Sequence, residues 1–289
     1  MMTVRLPFLS VCVGAAWASF AGPVASDFQV KESPDHTQSF RAQCALSSAS
    51  ARWRLDLINF RAHGNRAKSF GVRSANGGTF GFCELFSFFA LEVNGIPSWK
   101  LQLDPKRCRE YAEGARRGVE FVLNFDGAFV RTRFWMSPDS PLLEGEVHGS
   151  ARGPTPVTNI VVRIGSIPSF LDRRASGGWR FDGYRRMVRT RTRTIGPFET
   201  RRSVDLLPDD AFVLFADCDY DGTDEGKGHG PNAVLLRSEA SGRLEIGKEW
   251  TVTTVWRPNP RCPFRFALVE FADKRMSNRE FEKTLKEMR

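Results

Sequence analysis

From Val119 to Trp135 the chain alternates apolar and polar residues on either side of an Asp126-Gly127 pair. Asp-Gly between two such runs signals a hairpin closed by a two-residue turn, because both turn positions need positive φ. That turn fixes the register. Phe125 faces Ala128, Leu123 faces Val130, Phe121 faces Thr132 and Val119 faces Phe134. These pairs make one almost wholly apolar face. The other face sets Glu120 opposite Arg133, an attractive cross-strand pair. A slip of one residue would exchange the two faces and destroy both features.

The same period of two recurs at 52–60, 87–93, 142–147, 157–164, 211–215, 233–236, 250–256 and 264–271. The run at 87–93 leads through Asn94-Gly95 to Trp99, Leu101 and Leu103. Turn residues separate these segments at fairly regular intervals, the pattern of a sandwich. Twenty-four Phe and seven Trp stand against three Tyr, and Phe has no polar tip to satisfy, so this aromatic mass belongs in a core. The expected fold is all-β: a large antiparallel β-sandwich or supersandwich with a short C-terminal helix. The helix is predicted from about Asn278, after the capping box Ser277-Asn-Arg-Glu280, with Phe281, Leu285 and Met288 on one face. Residues 110–117 read as a short helical turn.

The first 26 residues read as a secretory signal: Arg5, a short apolar run from Leu6 to Trp17, then small residues. Cleavage fits after Ala18, with Ala16 at −3, or after Ser26, with Val24 at −3. Leu9-Ser10-Val11-Cys12 loosely resembles a lipoprotein attachment site. The expected product, residues 27–289, is a single β-sandwich domain, secreted or periplasmic, whose weakest joint lies at 150–156. No later stretch is long and apolar enough for a membrane helix. Outside the signal, five cysteines remain: Cys44, Cys83, Cys108, Cys218 and Cys262. In an oxidising compartment that allows at most two bridges, and the sequence does not choose the pairs. No cysteine or histidine spacing fits a zinc site.

Charge is unevenly placed. Between Arg173 and Arg202 ten arginines stand against two acids, a net +8, and 204–225 holds eight acids and no base. As a strand, Met187 to Ile195 would put Arg189, Arg191 and Arg193 on one face, about 6.6 Å apart. Guanidinium forks suit carboxylate or sulfate, and Trp179 and Tyr184 could stack on sugar rings, so the row is a candidate grip on an anionic polysaccharide. If Asp182-Gly183 makes a two-residue turn, Arg180 would face Arg185. The competing reading is a charged edge that resists aggregation, neutralised by the acidic segment folding beside it. Nucleic acid is a poor partner for an exported protein, despite the net charge of +9.

Asp217, Asp219 and Asp221, followed by Gly222, match the opening of a calcium loop, but position 12 is Gly228 rather than a bidentate glutamate. The other reading is a polar β-turn. No other cofactor is expected. No paired carboxylates are marked out for glycoside hydrolysis. For a lyase, which needs a base and a cation, Tyr184 beside Arg185 and Arg186 is one candidate and His229 another.

The segments Leu91-Glu-Val-Asn-Gly95, 119–127 and 131–145 together resemble the β-supersandwich of the galactose-mutarotase-like superfamily, over about a quarter of the chain. The resemblance implies a carbohydrate setting, since such domains recur in epimerases, glycosidases and polysaccharide lyases. The epimerases of that superfamily carry two catalytic histidines and a late glutamate. Here only His63, in Arg61-Ala-His-Gly-Asn65, loosely echoes a histidine motif, and epimerase activity does not carry over. Three functions follow as expectations: a non-catalytic protein that binds an acidic glycan, a polysaccharide lyase or hydrolase, and a structural or protein-interaction module.

Overall fold

The computed structural model describes residues 24–31, 41–48, 51–61, 68–74, 87–150, 152–166, 171–173, 179–181, 186–196, 201–217, 232–247, 251–271 and 278–288. The chain opens with β1 (Ala25–Lys31), β2 (Arg41–Ser47), β3 (Arg52–Arg61), β4 (Lys68–Ser74), β5 (Phe89–Val93) and β6 (Ile96–Pro97). Next come β7 (Cys108–Glu113), β8 (Arg116–Phe125), β9 (Ala128–Met136) and β10 (Leu143–Gly149). The middle holds β11 (Ile160–Ser166), β12 (Leu171–Arg173), β13 (Trp179–Phe181), β14 (Arg186–Thr190), β15 (Thr194–Ile195) and β16 (Arg202–Asp205). It closes with β17 (Phe212–Asp217), β18 (Asn232–Leu236), β19 (Ser241–Ile246), β20 (Val252–Arg257), β21 (Phe264–Glu270) and α1 (Asn278–Glu287).

Two antiparallel sheets result. The first runs β1-β2-β3-β4-β5-β11-β20-β19-β16, with β6 paired to β5; the second runs β15-β14-β17-β18-β21-β10-β9-β8-β7. Strands β12 and β13 form a small ribbon of their own. The all-β reading is met, with two packed antiparallel sheets and a short terminal helix.

The hairpin takes the expected register, from Phe125 opposite Ala128 to Val119 opposite Phe134. Its turn residues, Asp126 and Gly127, have φ of 51° and 85°, and Asn94-Gly95 repeats this with 50° and 81°. Positive φ at both positions gives the turn the twist of the flanking strands. The inward face of β8 and β9 supplies Val119, Phe121, Leu123, Val130 and Phe134 to the space between the sheets. There Phe89 meets Phe134 edge-on, 5.2 Å between centroids, and Phe70 meets Phe121 at 5.2 Å.

The expected helical turn at 110–117 is overturned. These residues form the β7–β8 hairpin, with Glu110 opposite Val119 and Glu113 opposite Arg116. Gly114, at φ 55°, makes the reversal. Cys108 and Tyr111 are both buried, a helix-like spacing of three, yet they lie on opposite faces of β7. Cys108 enters the core between the sheets, whereas Tyr111 packs against Trp135 on the outer face, 5.7 Å between rings.

Strand β1 begins within the stretch read as signal. Val24 is buried in the core, and Ala25 and Ser26 pair with Ser47 and Leu46. The segment 150–156, expected as a weak joint, carries the chain from β10 of the second sheet toward β11 of the first. It is tied down at both ends: the Ser150 N–H donates to the Phe129 carbonyl at 2.8 Å, and the Asn94 side-chain amide donates to the Pro156 carbonyl at 2.8 Å.

The outer face of the second sheet divides in two. Over β17, β18 and β21 the helix lays Phe281 and Leu285 on Phe212, Leu214, Leu235 and Val269, a second apolar core. Over β7 to β10 the same face is polar, and there the candidate site lies.

A basic cleft beside an arginine–glutamate network

Alternation along β7 to β10 and β21 sends Arg109, Glu120, Arg131, Arg133, Glu146, His148 and Arg265 outward, while their neighbours fill the core. Sheet order then places these side chains together. Arg109 donates from Nε and Nη2 to Glu120 Oε1, at 2.9 and 2.6 Å, and Arg133 Nε donates to Glu120 Oε2 at 2.5 Å. Arg265 Nε donates to Glu146 Oε2 at 2.9 Å, and Arg131 and Arg133 lie 3.6 and 3.8 Å from its other oxygen. Burial alone would raise the Glu120 pKa. The hydrogen bonds from Arg133 and Arg109 outweigh it and hold the carboxyl below the ordinary glutamate value. A carboxylate clamped in this way is a poor general acid.

Beside this network an open cleft of about 1020 Å³ runs over β8, β9 and β10 and against the 150–157 and 260–261 loops. Arg107, Arg131, Arg152, Arg261 and His148 line it, with Phe129 and Val122 on its floor and Pro154, Pro156 and Pro260 in its walls. The Arg107 guanidinium lies over the Phe129 ring, 4.4 Å from its centroid, so one aromatic face is already covered by a cation. No aspartate or glutamate is among the described lining residues.

Arg131 Nη2 lies 3.3 Å from His148 Nδ1. Arginine has donors only, so Nδ1 accepts and the ring proton sits on Nε2. Burial, then the charge of Arg131, pushes the His148 pKa below its usual value and favours the neutral ring. In that tautomer His148 offers an N–H donor and has no free lone pair to act as a base. The cleft therefore presents donors and positive charge, the chemistry of anion recognition.

The arginine row expected on one strand is divided by a turn. Arg189 lies on β14 and meets Glu282 of α1 at 3.3 Å. Arg191 is in the turn that follows, 3.9 Å from Asp209. Arg193 lies beyond that turn, 3.4 Å from the buried Asp210, and donates to the Asp205 carbonyl. The cause is Thr190, whose N–H and hydroxyl both donate to the Arg193 carbonyl, at 2.9 and 3.2 Å, and fold the segment back. Each arginine has its own carboxylate: the acidic segment supplies Asp209 and Asp210, and α1 supplies Glu282.

Trp179 lies on β13, whose register sets Arg180 opposite Asp172. Arg186 opens β14 opposite Asp217, the last residue of β17. Tyr184, Arg185, Asp219, Asp221, His229 and His63 lie outside the described residues. Among the described residues no cluster of three or more metal-ligating side chains occurs, and no helix is long and apolar enough to cross a membrane. Sequence reasoning missed Arg107, Arg152, His148 and Arg261 because they lie far apart in the chain. The available signal was the Arg131-Thr132-Arg133 alternation in a hairpin of known register.

The chain is an antiparallel β-sandwich protein with a basic cleft on its outer face. No protein-family model matches it, and no curated protein matches it. Solved structures similar to it include a GH36 alpha-galactosidase, AgaB, from Geobacillus stearothermophilus, with 10% identity and a TM-score of 0.42 over 85% of this chain and 41% of that one. Another is the alpha-N-acetylgalactosaminidase NagBb from Bifidobacterium bifidum in its GalNAc complex, with 10% identity and a TM-score of 0.48 over 91% of this chain and 39% of that one. The chain spans about two fifths of the length of these enzymes.

Proposed function

We propose that this chain is an exported, carbohydrate-associated β-sandwich protein that binds an acidic polysaccharide in the basic cleft without cleaving it. One observation carries the reading: four arginines and a neutral histidine converge on an open cleft with no carboxylate in its described lining, the partners of Arg107 and Arg131, Asp104 and Glu146, standing outside it. Carboxylate or sulfate groups along a glycan would meet these forks, and the open shape admits a chain rather than a single small molecule. Glycoside hydrolysis needs two facing carboxylates, which the lining lacks. Elimination from a uronate needs a base, and the cleft's histidine is protonated on its outward nitrogen. Export rests on the N-terminal signal pattern.

The test is titration of the mature protein with a uronate polymer, a sulfated polymer and neutral dextran, at low and high salt. An acidic polymer should bind, and dextran should not. Binding should weaken as salt rises, because exposed charges are screened. The double variant R131Q/R261Q should bind at least about tenfold more weakly, the loss of one to two charged hydrogen bonds. Binding of neither acidic polymer, or equal binding by the variant, overturns the reading. Unsaturated products absorbing in the ultraviolet would overturn its non-catalytic part.

A further inference from the structure

Cys44 and Cys108 lie in the same apolar core but on different sheets. Cys44 is on β2, fully buried, and Cys108 opens β7, the edge strand of the second sheet. Sheet order brings these two edges face to face: β1 and β2 of the first sheet pack against β8, the neighbour of β7. Two charged positions, one on each edge, mark the approach. Cys44 feels the carboxylate of Glu110 on β7 as well as that of Asp27 on its own sheet's β1. Cys108 in turn lies in the electrostatic field of Cys44. Beside them, Ser26 Oγ lies 3.9 Å from Cys44 Sγ. All three described cysteines are free thiols in this structure, and the third, Cys262, is exposed and lies on the loop beside Arg261.

We propose that in the exported protein Cys44 and Cys108 are joined by a disulfide that staples the two sheets at the edge made by β1, β2 and β7. The inference rests on the export reading only for its oxidant: the disulfide of a thiol oxidase, or oxidised glutathione. One thiolate attacks the oxidant's disulfide and forms a mixed disulfide. The second then displaces the oxidant's sulfur. One S–S bond forms and one is lost, two electrons pass to the oxidant, and the two thiol protons leave to solvent and the departing thiolates. The staple suits its place. Among the described strands, both β1 and β7 are paired on one side only.

Burial pushes both thiols up to about 12 in the folded protein, so neither is a ready nucleophile once the edges have docked. Oxidation must therefore accompany folding. The test uses the full chain with its leader, exported to a bacterial periplasm, blocked with an alkylating reagent and digested without reductant. Mass spectrometry should find the Cys44 peptide linked to the Cys108 peptide and lighter by two hydrogens than the pair. Should the leader fail to export the chain, refolding the same protein in a mixture of oxidised and reduced glutathione should give the same link, which separates failure of export from failure of the disulfide. Chain that is folded while reduced should resist the same oxidant. The variants C44A and C108A should each lower the melting temperature, and the double should lower it by less than the two losses added, since the one bond is lost only once. Alkylation of both cysteines after oxidative refolding, or pairing of either with Cys83, Cys218 or Cys262, overturns the proposal.

Discussion

Arg131 donates to His148 Nδ1 across the β9–β10 pair, and this single contact sets the chemistry of the cleft. It fixes the tautomer, turns Nε2–H outward and adds a positive charge that opposes protonation.

An NMR titration of His148 should accordingly give a midpoint below 6.5, the ordinary value. Burial is the larger cause, so R131Q should move the midpoint only part of the way up. Between the folded and unfolded values the unfolded chain binds more protons, so stability rises with pH across that window. This contribution is complete above pH 6.5 and is lost as pH falls through the folded value. A sulfated polymer bound in the cleft should raise the midpoint. A midpoint at or above 6.5 in the free protein would contradict the depression by burial and Arg131.

Glu120 holds two arginines, but they differ in worth. The Arg133 side chain is 23% exposed and that of Arg109 is 74% exposed. Urea unfolding should show E120A destabilised by about 3 kcal/mol, because a buried partner is removed from its cations. R133A should cost more than R109A, which should stay under about 1 kcal/mol because water screens that pair. The folded Glu120 pKa is depressed, so its contribution is present above the unfolded value and is lost as pH falls through the folded one.

The triple variant R189S/R191S/R193S separates the two basic regions. Its polymer binding should match the parent, since none of these side chains lines the cleft. Its stability should fall by about 2 kcal/mol, chiefly because Arg193 leaves the buried Asp210 and Arg189 leaves the helix. Loss of binding with unchanged stability would return the glycan site to that segment.

The two expected cleavage sites differ in what they leave of β1. Removal of the leader after Ser26 would take away Val24, a core residue, and the Ala25 and Ser26 pairings with β2. Cleavage after Ala18 leaves the strand whole. N-terminal sequencing of the secreted protein should begin at Ser19, and a chain beginning at Asp27 should melt at a lower temperature.

Local chemistry was legible from the residues alone. Asp126-Gly127 and Asn94-Gly95 announced their turns because positive φ leaves few other residues to choose, and alternation from Val119 to Trp135 then dictated which side chains share a face. The 110–117 hairpin was not legible because Tyr111 is buried on the outer face of its sheet and hides the period of two, and Thr190 broke the arginine row with a backbone turn that no period shows. Which strands become neighbours was decided only by the packed fold. Glu146 finds Arg265 across 119 positions of sequence, and Arg107, Arg131, Arg152 and Arg261 reach one cleft from four separate segments. Periodicity is a property of one strand and its turn. A binding surface is a property of sheet order, which the burial of a whole apolar interior selects.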